Sequence, residues 1–172
     1  MSKTVLKYDK TSLDNLQKFI DANHYVKIGV LSISQKRPAD KNSGKSIDAV
    51  VLAAVHEFGS PSRKIPERSF LRKTMAMRKK DFNDFFDTGK DKIMKLIMDG
   101  NGDVFLNKVG AKWVGYVHET FAAQGPGWDK LSDRRIAERS VTGRAKGNKD
   151  PEKHSILWDT GAMLRSIIHE VV

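Results

Sequence analysis

Apolar residues recur along the chain at two spacings, and the switches between them divide it into elements. Leu13, Leu16, Phe19 and Ile20 stand three and four apart, as one face of a helix does, with Thr11 or Ser12 placed to cap its start and Asn23 to end it. From Tyr25 to Ser32 the spacing changes to two. Val26, Ile28 and Val30 line one side of a β-branched run, which predicts a half-buried strand. Ile47 to Phe58 is a compact apolar stretch that contains Ala53 and Ala54 and stops at Gly59, which predicts a buried helix closed by a glycine. The run from Ser60 to Pro66 then forces a loop.

Helical spacing returns near Ser69. It carries Phe70, Leu71, Met75, Phe82, Phe85, Phe86, Ile93, Leu96 and Ile97 up to the break at Gly100-Asn101-Gly102, predicting a long helix with Gly89 as a point of interruption. Beyond the break, Leu106, Val109, Trp113, Val117 and Phe121 again fall three and four apart, so a second helix should pack back against the first. The chain ends with a turn over 156–161, one helical turn from Ala162, and a strand from about Ser166 that should pair with the first strand. These elements predict an α+β fold, in which a small antiparallel sheet packs against helices that include a long antiparallel pair. No repeat at solenoid spacing interrupts this order, so residues 1–172 are read as one domain.

Two stretches carry no period and predict flexible loops. Residues 35–46 are Lys, Arg, Pro, Asp, Asn, Ser and Gly, and residues 124–155 hold Arg134, Arg135, Arg139 and Arg144 with only Trp128, Leu131 and Ile136 as early apolar points. A polar connection as long as the second is commonly functional. The net charge of +10 allows attraction to DNA, to anionic lipid or to an acidic protein surface without choosing among them. With 39% hydrophobic residues in 172, most of the chain should fold around a core. The absence of cysteine excludes disulfides, a thiol nucleophile and thiolate zinc sites. No run of about 18 apolar residues exists and the first residues lack the apolar core of a secretory signal, so the chain is expected in a cytoplasm.

Three enzyme motifs nearly form. Asp159-Thr160-Gly161 resembles the active-site loop of aspartic proteases, where two carboxylates share a proton, but the flap and second core strand of that fold would have to follow it in the eleven residues left. A turn in which Asp159 caps the next helical segment explains the same residues. His56-Glu57 and His118-Glu119 each begin like a zinc-protease helix, yet the second histidine positions hold Ser60 and Ala122. Phosphate-binding glycine loops and a serine nucleophile elbow are missing as well, so neither enzyme nor cofactor nor metal is expected. The Arg and Lys runs, with Trp128 able to stack on a base, keep a nucleic-acid groove in play as an alternative to a basic loop docked on an acidic neighbour.

Three blocks go further together than any one alone. Ala54-Val-His-Glu-Phe-Gly59, Ile65-Pro-Glu-Arg-Ser-Phe-Leu-Arg72 and Leu157-Trp-Asp-Thr-Gly-Ala-Met-Leu-Arg-Ser-Ile167 resemble the signatures of phage virion-morphogenesis and tail-completion proteins, the HK97-like and Mu-like neck proteins among them. The Asp-Thr-Gly block, which precedes the His-Glu-Phe-Gly block in many members, comes last here. The resemblance implies a structural protein at the tail's head-proximal end, assembled with itself as a ring that is often hexameric. It implies contacts with the tail tube or tail terminator and with head connector proteins, in the virion after assembly in a host cytoplasm, and no cofactor or membrane. It marks His56, Glu57, Phe58, Gly59, Ile65, Pro66, Arg68, Phe70, Leu71, Asp159, Thr160, Gly161, Leu164, Ser166 and Ile167 as motif residues.

Within the corner so defined, Phe58, Ile65, Phe70 and Leu71 read equally well as core residues. Arg68 and Arg72, with Arg134, Arg135, Arg139 and Arg144, read as partner contacts, since their charge must reach water or an acidic surface. A tail terminator is the nearest rival reading, and a basic DNA-binding protein the rival from another class.

Overall fold

The computed structural model describes residues 9–30, 48–123, 125, 127–134, 136–137 and 162–172. Helix α1 spans Lys10–Asp21, strand β1 Val26–Val30, α2 Ala49–Phe58, α3 Leu71–Met98, α4 Gly102–Ala122, the single turn α5 Ala162–Arg165, and strand β2 Ile167–Val171. The fold is α+β, a two-stranded antiparallel sheet packed on helices.

The frame is the hairpin of α3 and α4. Gly100, at positive φ, turns the chain after Met98, and Asn101 donates its backbone N–H to Leu96 O at 2.8 Å, so two turns of chain reverse direction within three residues. Gly89 does not interrupt α3, which runs unbroken for 28 residues; the preceding and following turns pack against α4 and override its weak propensity. A second correction concerns phase. Met75 is exposed and Thr74 is fully buried, because Thr74, four residues after Phe70, takes the inward position of that turn.

On one side of the hairpin lies the sheet. Val26 pairs with Val171 and Val30 with Ile167, and Tyr25 and Val172 exchange N–H···O bonds of 2.9 Å beyond the strand ends. The close approach of the sheet to α4 needs a glycine, since a Cβ on Gly110 would collide with the His169 ring that lies over it. At the hairpin's turn, α1 packs across α3 through Leu16 and Phe19, and the Asn15 amide donates to Met98 O at 3.0 Å. Its cap is Asp9, which accepts from Ser12 N at 2.7 Å, and not Thr11 or Ser12. Ser12 is thus the donor of the capping bond.

Two cores result. Near the turn, Ile97, Phe105, Leu106 and Val109 are buried together under an aromatic cluster in which Phe82 meets Trp113 at 4.6 Å and Phe86 at 4.8 Å between ring centres. At the other end, Ala53, Phe70, Val117, Phe121, Trp128, Met163 and Ile167 form a core shared by α2, α3, α4, α5 and β2. Trp128, 7% exposed, and Ile136 are buried, so the start of the expected 124–155 loop is anchored to the body. The loop 35–46 and residues 138–161 lie outside the described residues.

Candidate functional site

The corner where α2 hands over to α3 gathers the first two motif blocks. Helix α3 starts without a capping side chain of its own: Phe70 stands at its N-cap and no acidic residue lies in its first turn. Glu57, the next-to-last residue of α2, supplies both. Its Oε2 accepts from the backbone N–H of Phe70 at 2.8 Å and of Leu71 at 2.9 Å. Its Oε1 accepts from the Ser69 hydroxyl at 2.7 Å, from Arg72 N at 3.0 Å and from Arg72 Nε at 3.0 Å. The carboxylate of one helix thereby caps another, satisfying amides that would be orphaned in the interior and meeting the positive end of the α3 dipole.

Glu57 is only 5% exposed. Burial, the largest single influence on its carboxyl, pushes it up; the Leu71 amide, the Ser69 hydroxyl and the Arg72 amide and guanidinium together outweigh that and hold it below its ordinary range. With five donors on its two oxygens, it has little acceptor capacity left for a substrate. The arrangement is a joint.

The rest of the corner locks the same joint. Arg72, beyond its bond to Oε1, donates to Glu57 O at 2.8 Å and to Glu67 Oε1 at 3.0 Å. Arg68 donates its backbone N–H to His56 O at 2.8 Å. Gly59 is at φ 73°, and a Cβ there would stand 2.9 Å from Glu67 N and 3.1 Å from Ile65 O, so only glycine lets the returning strand of the corner pass. Ser60 and Ile65 bridge across the turn, Pro61–Arg63 forms a 3-10 turn between them, and Pro66 keeps the approach extended. His56 and Ile65 are half-buried.

Two expectations change. Arg68 is not a surface group: it is 7% exposed, and its guanidinium donates to Asp129 O at 3.3 Å, tying the corner to the segment after α4. Burial lowers its basicity and the nearby Asp129 carboxylate partly offsets this. Phe58 is not a core residue. It is 64% exposed, with the Arg72 guanidinium 4.7 Å from its ring centre. Arg72 itself is half exposed, its charge divided between two glutamates.

The third block joins from the C-terminal end. Ile167 is buried in the core that holds Phe70, Leu71 and Leu164 pack on its edge, and the Ser166 hydroxyl donates to Met163 O at 2.7 Å. Asp159, Thr160 and Gly161, and with them Arg135, Arg139 and Arg144, lie outside the described residues. Arg134 is exposed. Trp128 is packed edge-on against Phe121 at 5.9 Å between ring centres, which removes it as a base-stacking platform.

Sequence reasoning missed one feature of this core. The buried hydroxyls of Thr74 and Thr120 hydrogen-bond across α3 and α4 at 2.7 Å, and the Thr120 hydroxyl also lies 3.0 Å from Tyr116 O. Thr120 stands beside Phe121 in the α4 period and Thr74 four residues after Phe70, which was the available signal. Among the described residues no three His, Cys, Asp or Glu side chains converge as a metal site would require, and no helix is long and apolar enough to cross a membrane. Comparison with family models, with curated proteins and with solved structures finds no match to this chain.

Proposed function

We propose that this chain is a structural protein of a tailed bacteriophage particle, a ring subunit that completes the tail at its head-proximal end and joins it to the head. The observation that carries this reading is the convergence of the first two blocks with the described end of the third, residues 162–167. Residues that resemble the tail-completion signature, separated by up to about a hundred positions, build one joint in which Glu57 caps α3 and Phe70 and Ile167 share a core. On this reading the signature is a structural one that secures the angle between two helices, with the two oxygens of Glu57 taken up by five donors. Its partners on this reading are further copies of itself, the tail tube or terminator, and the head connector proteins, with no cofactor.

The test is electron microscopy of lysates from a phage carrying an early stop codon in this gene. Full heads beside unattached tails of normal length are the expected result. Overlong tails would move the role to tail termination. Normal infectious particles would overturn both and return the net charge of +10 to prominence, as the mark of a DNA-binding protein whose affinity falls steeply with salt.

A further inference from the structure

The sheet has two strands, so each strand leaves one side of its backbone without a neighbouring strand. Tyr25 and Val172 exchange hydrogen bonds, and bonded pairs alternate along an antiparallel ladder. Ile168 and Glu170 therefore turn their N–H and C=O groups toward β1, while Ile167, His169 and Val171 turn theirs away from it. Among the described residues no hydrogen bond meets these outward groups.

The two edges differ in what surrounds them. β1 faces the body: Val30 packs with Leu52 and Leu71, and a Cβ on Gly29 would stand 3.7 Å from Leu71 Cδ1. β2 is the outer strand. Its His169 ring lies across Gly110, with Nε2 3.3 Å from Asn107 Oδ1. Asn107 follows Phe105 by two residues, about 200° round the helix, and Phe105 meets Phe86 of α3, so β2 lies on the side of α4 away from α3. Folded proteins blunt an open edge with lysine, proline or a bulge. β2, Ile-Ile-His-Glu-Val in continuous register, has none of these, and its one acid, Glu170, is held 3.9 Å from Lys27.

The part of α4 beside β2 is flat and holds no Lys, Arg, Asp or Glu. Val104, Asn107, Ala111, Gly115, His118 and Ala122 share it at helical spacing. A glycine inside a helix costs about 1 kcal/mol relative to alanine. Gly110 is required by the His169 ring, but a Cβ on Gly115 would meet nothing within 4 Å, so the chain's own packing does not call for that glycine.

We infer that β2 pairs antiparallel with β2 of a second copy about a twofold axis at His169, extending the sheet to four strands over two adjacent α4 helices. His169 is the middle of the three outward residues, so its N–H and C=O meet those of His169 in the second copy, and Ile167 meets Val171 on either side. On the solvent face Ile168 then opposes Glu170, and no like charges stand opposite one another. α4 underlies both strands. With strands about 4.8 Å apart, the two α4 axes come to lie about 10 Å apart, the spacing of packed helices, and the small side chains at Ala111 and Gly115 permit that approach. Any extended segment could satisfy the edge, but a second copy also brings the helix that covers the flank of α4. The contact is isologous and belongs to the free chain, so it stands apart from the ring reading above.

The chain has no cysteine, so introduced thiols report the register directly. Ile168→Cys and Glu170→Cys are made separately on the full chain. Oxidised as an equal mixture, they should yield about tenfold more covalent dimer than either alone, because 168 and 170 stand opposite across the axis while two copies of one position are about 8 Å apart, beyond disulfide reach. Wild type should double in mass with concentration in sedimentation, and the amides of His169 and Val171 should exchange more slowly in the dimer. Ala111→Arg, at an exposed position and checked for unchanged circular dichroism, should stay monomeric. A wild type that never dimerises, a mixture that cross-links no better than the single variants, unprotected amides at 169 and 171, or an Ala111→Arg chain that dimerises like wild type would each overturn the inference. None of these outcomes bears on the ring reading, which the lysate microscopy decides.

Discussion

The two ends of the α3–α4 hairpin are held by different physics. At the corner, the start of α3 depends on a single buried carboxylate whose lone pairs are matched by five donors at fixed positions, and on a glycine with backbone atoms 2.9 Å from where a Cβ would be. At the turn, α1 is held by Phe19 and Leu16 on the buried core of Ile97, Phe105, Leu106 and Val109, against which Phe82, Phe85, Phe86 and Trp113 also pack, and there area and volume matter more than direction. Hydrogen bonds to a charge are directional and unforgiving of a missing partner, whereas apolar packing tolerates swaps that conserve volume. The corner should therefore be brittle and the turn adaptable.

The largest expected effect follows from removing the carboxylate. Glu57→Ala should cost about 3 kcal/mol, because it leaves buried amides without an acceptor; chemical denaturation of the variant beside wild type measures it. A loss under about 1 kcal/mol would show that water or a neighbouring group caps α3 instead. The same carboxyl sets a pH dependence. Its folded value is depressed, so its contribution is fully present above the unfolded value of about 4.3 and is lost as pH falls through the folded value. Stability measured from pH 6 downward should fall more steeply in wild type than in Glu57→Gln.

Gly59→Ala comes next, at about 2 kcal/mol, from the positive φ and the backbone contact together. Its melting temperature should drop by several degrees. At the other end, Phe82→Leu should cost only about 1 kcal/mol, since a neighbouring ring can move into the space. If Phe82→Leu proved as damaging as Glu57→Ala, the contrast between directional and adaptable ends would collapse. Smallest of all, Arg78→Ala removes bonds of 2.8 Å to Asp81 and 2.7 Å to Glu119 at the surface, where solvent screening leaves about 0.5 kcal/mol.

Much of this was legible in the residues. The 3.6-residue period gave α1, α3 and α4, the two-residue alternation gave β1, and the glycines at 59 and 100–102 gave the ends of α2 and of the hairpin. These signals are local, because an element buries one face and its sequence repeats at the period of that face. Phe58 and Arg68 misled for the converse reason. An aromatic in an apolar run reads as core and an arginine in a polar loop reads as surface, and whether either does so depends on what the rest of the chain places over it. Arg68 is covered by the segment that carries Asp129, and Phe58 points away from the buried side of α2.

The sequence alone determined the order and kind of the elements and the antiparallel reversal between α3 and α4, since each follows from periodicity and from chain breaks within a few residues. Only the tertiary structure decided that Glu57 is the cap of α3, that Thr74 and not Met75 faces inward, and that α1 and α2 stand at opposite ends of one hairpin with apolar ridges uncovered. A cap supplied from fourteen residues away, a helix phase settled by a partner helix and the exposure of a ridge all depend on which surfaces meet, and no local period records that.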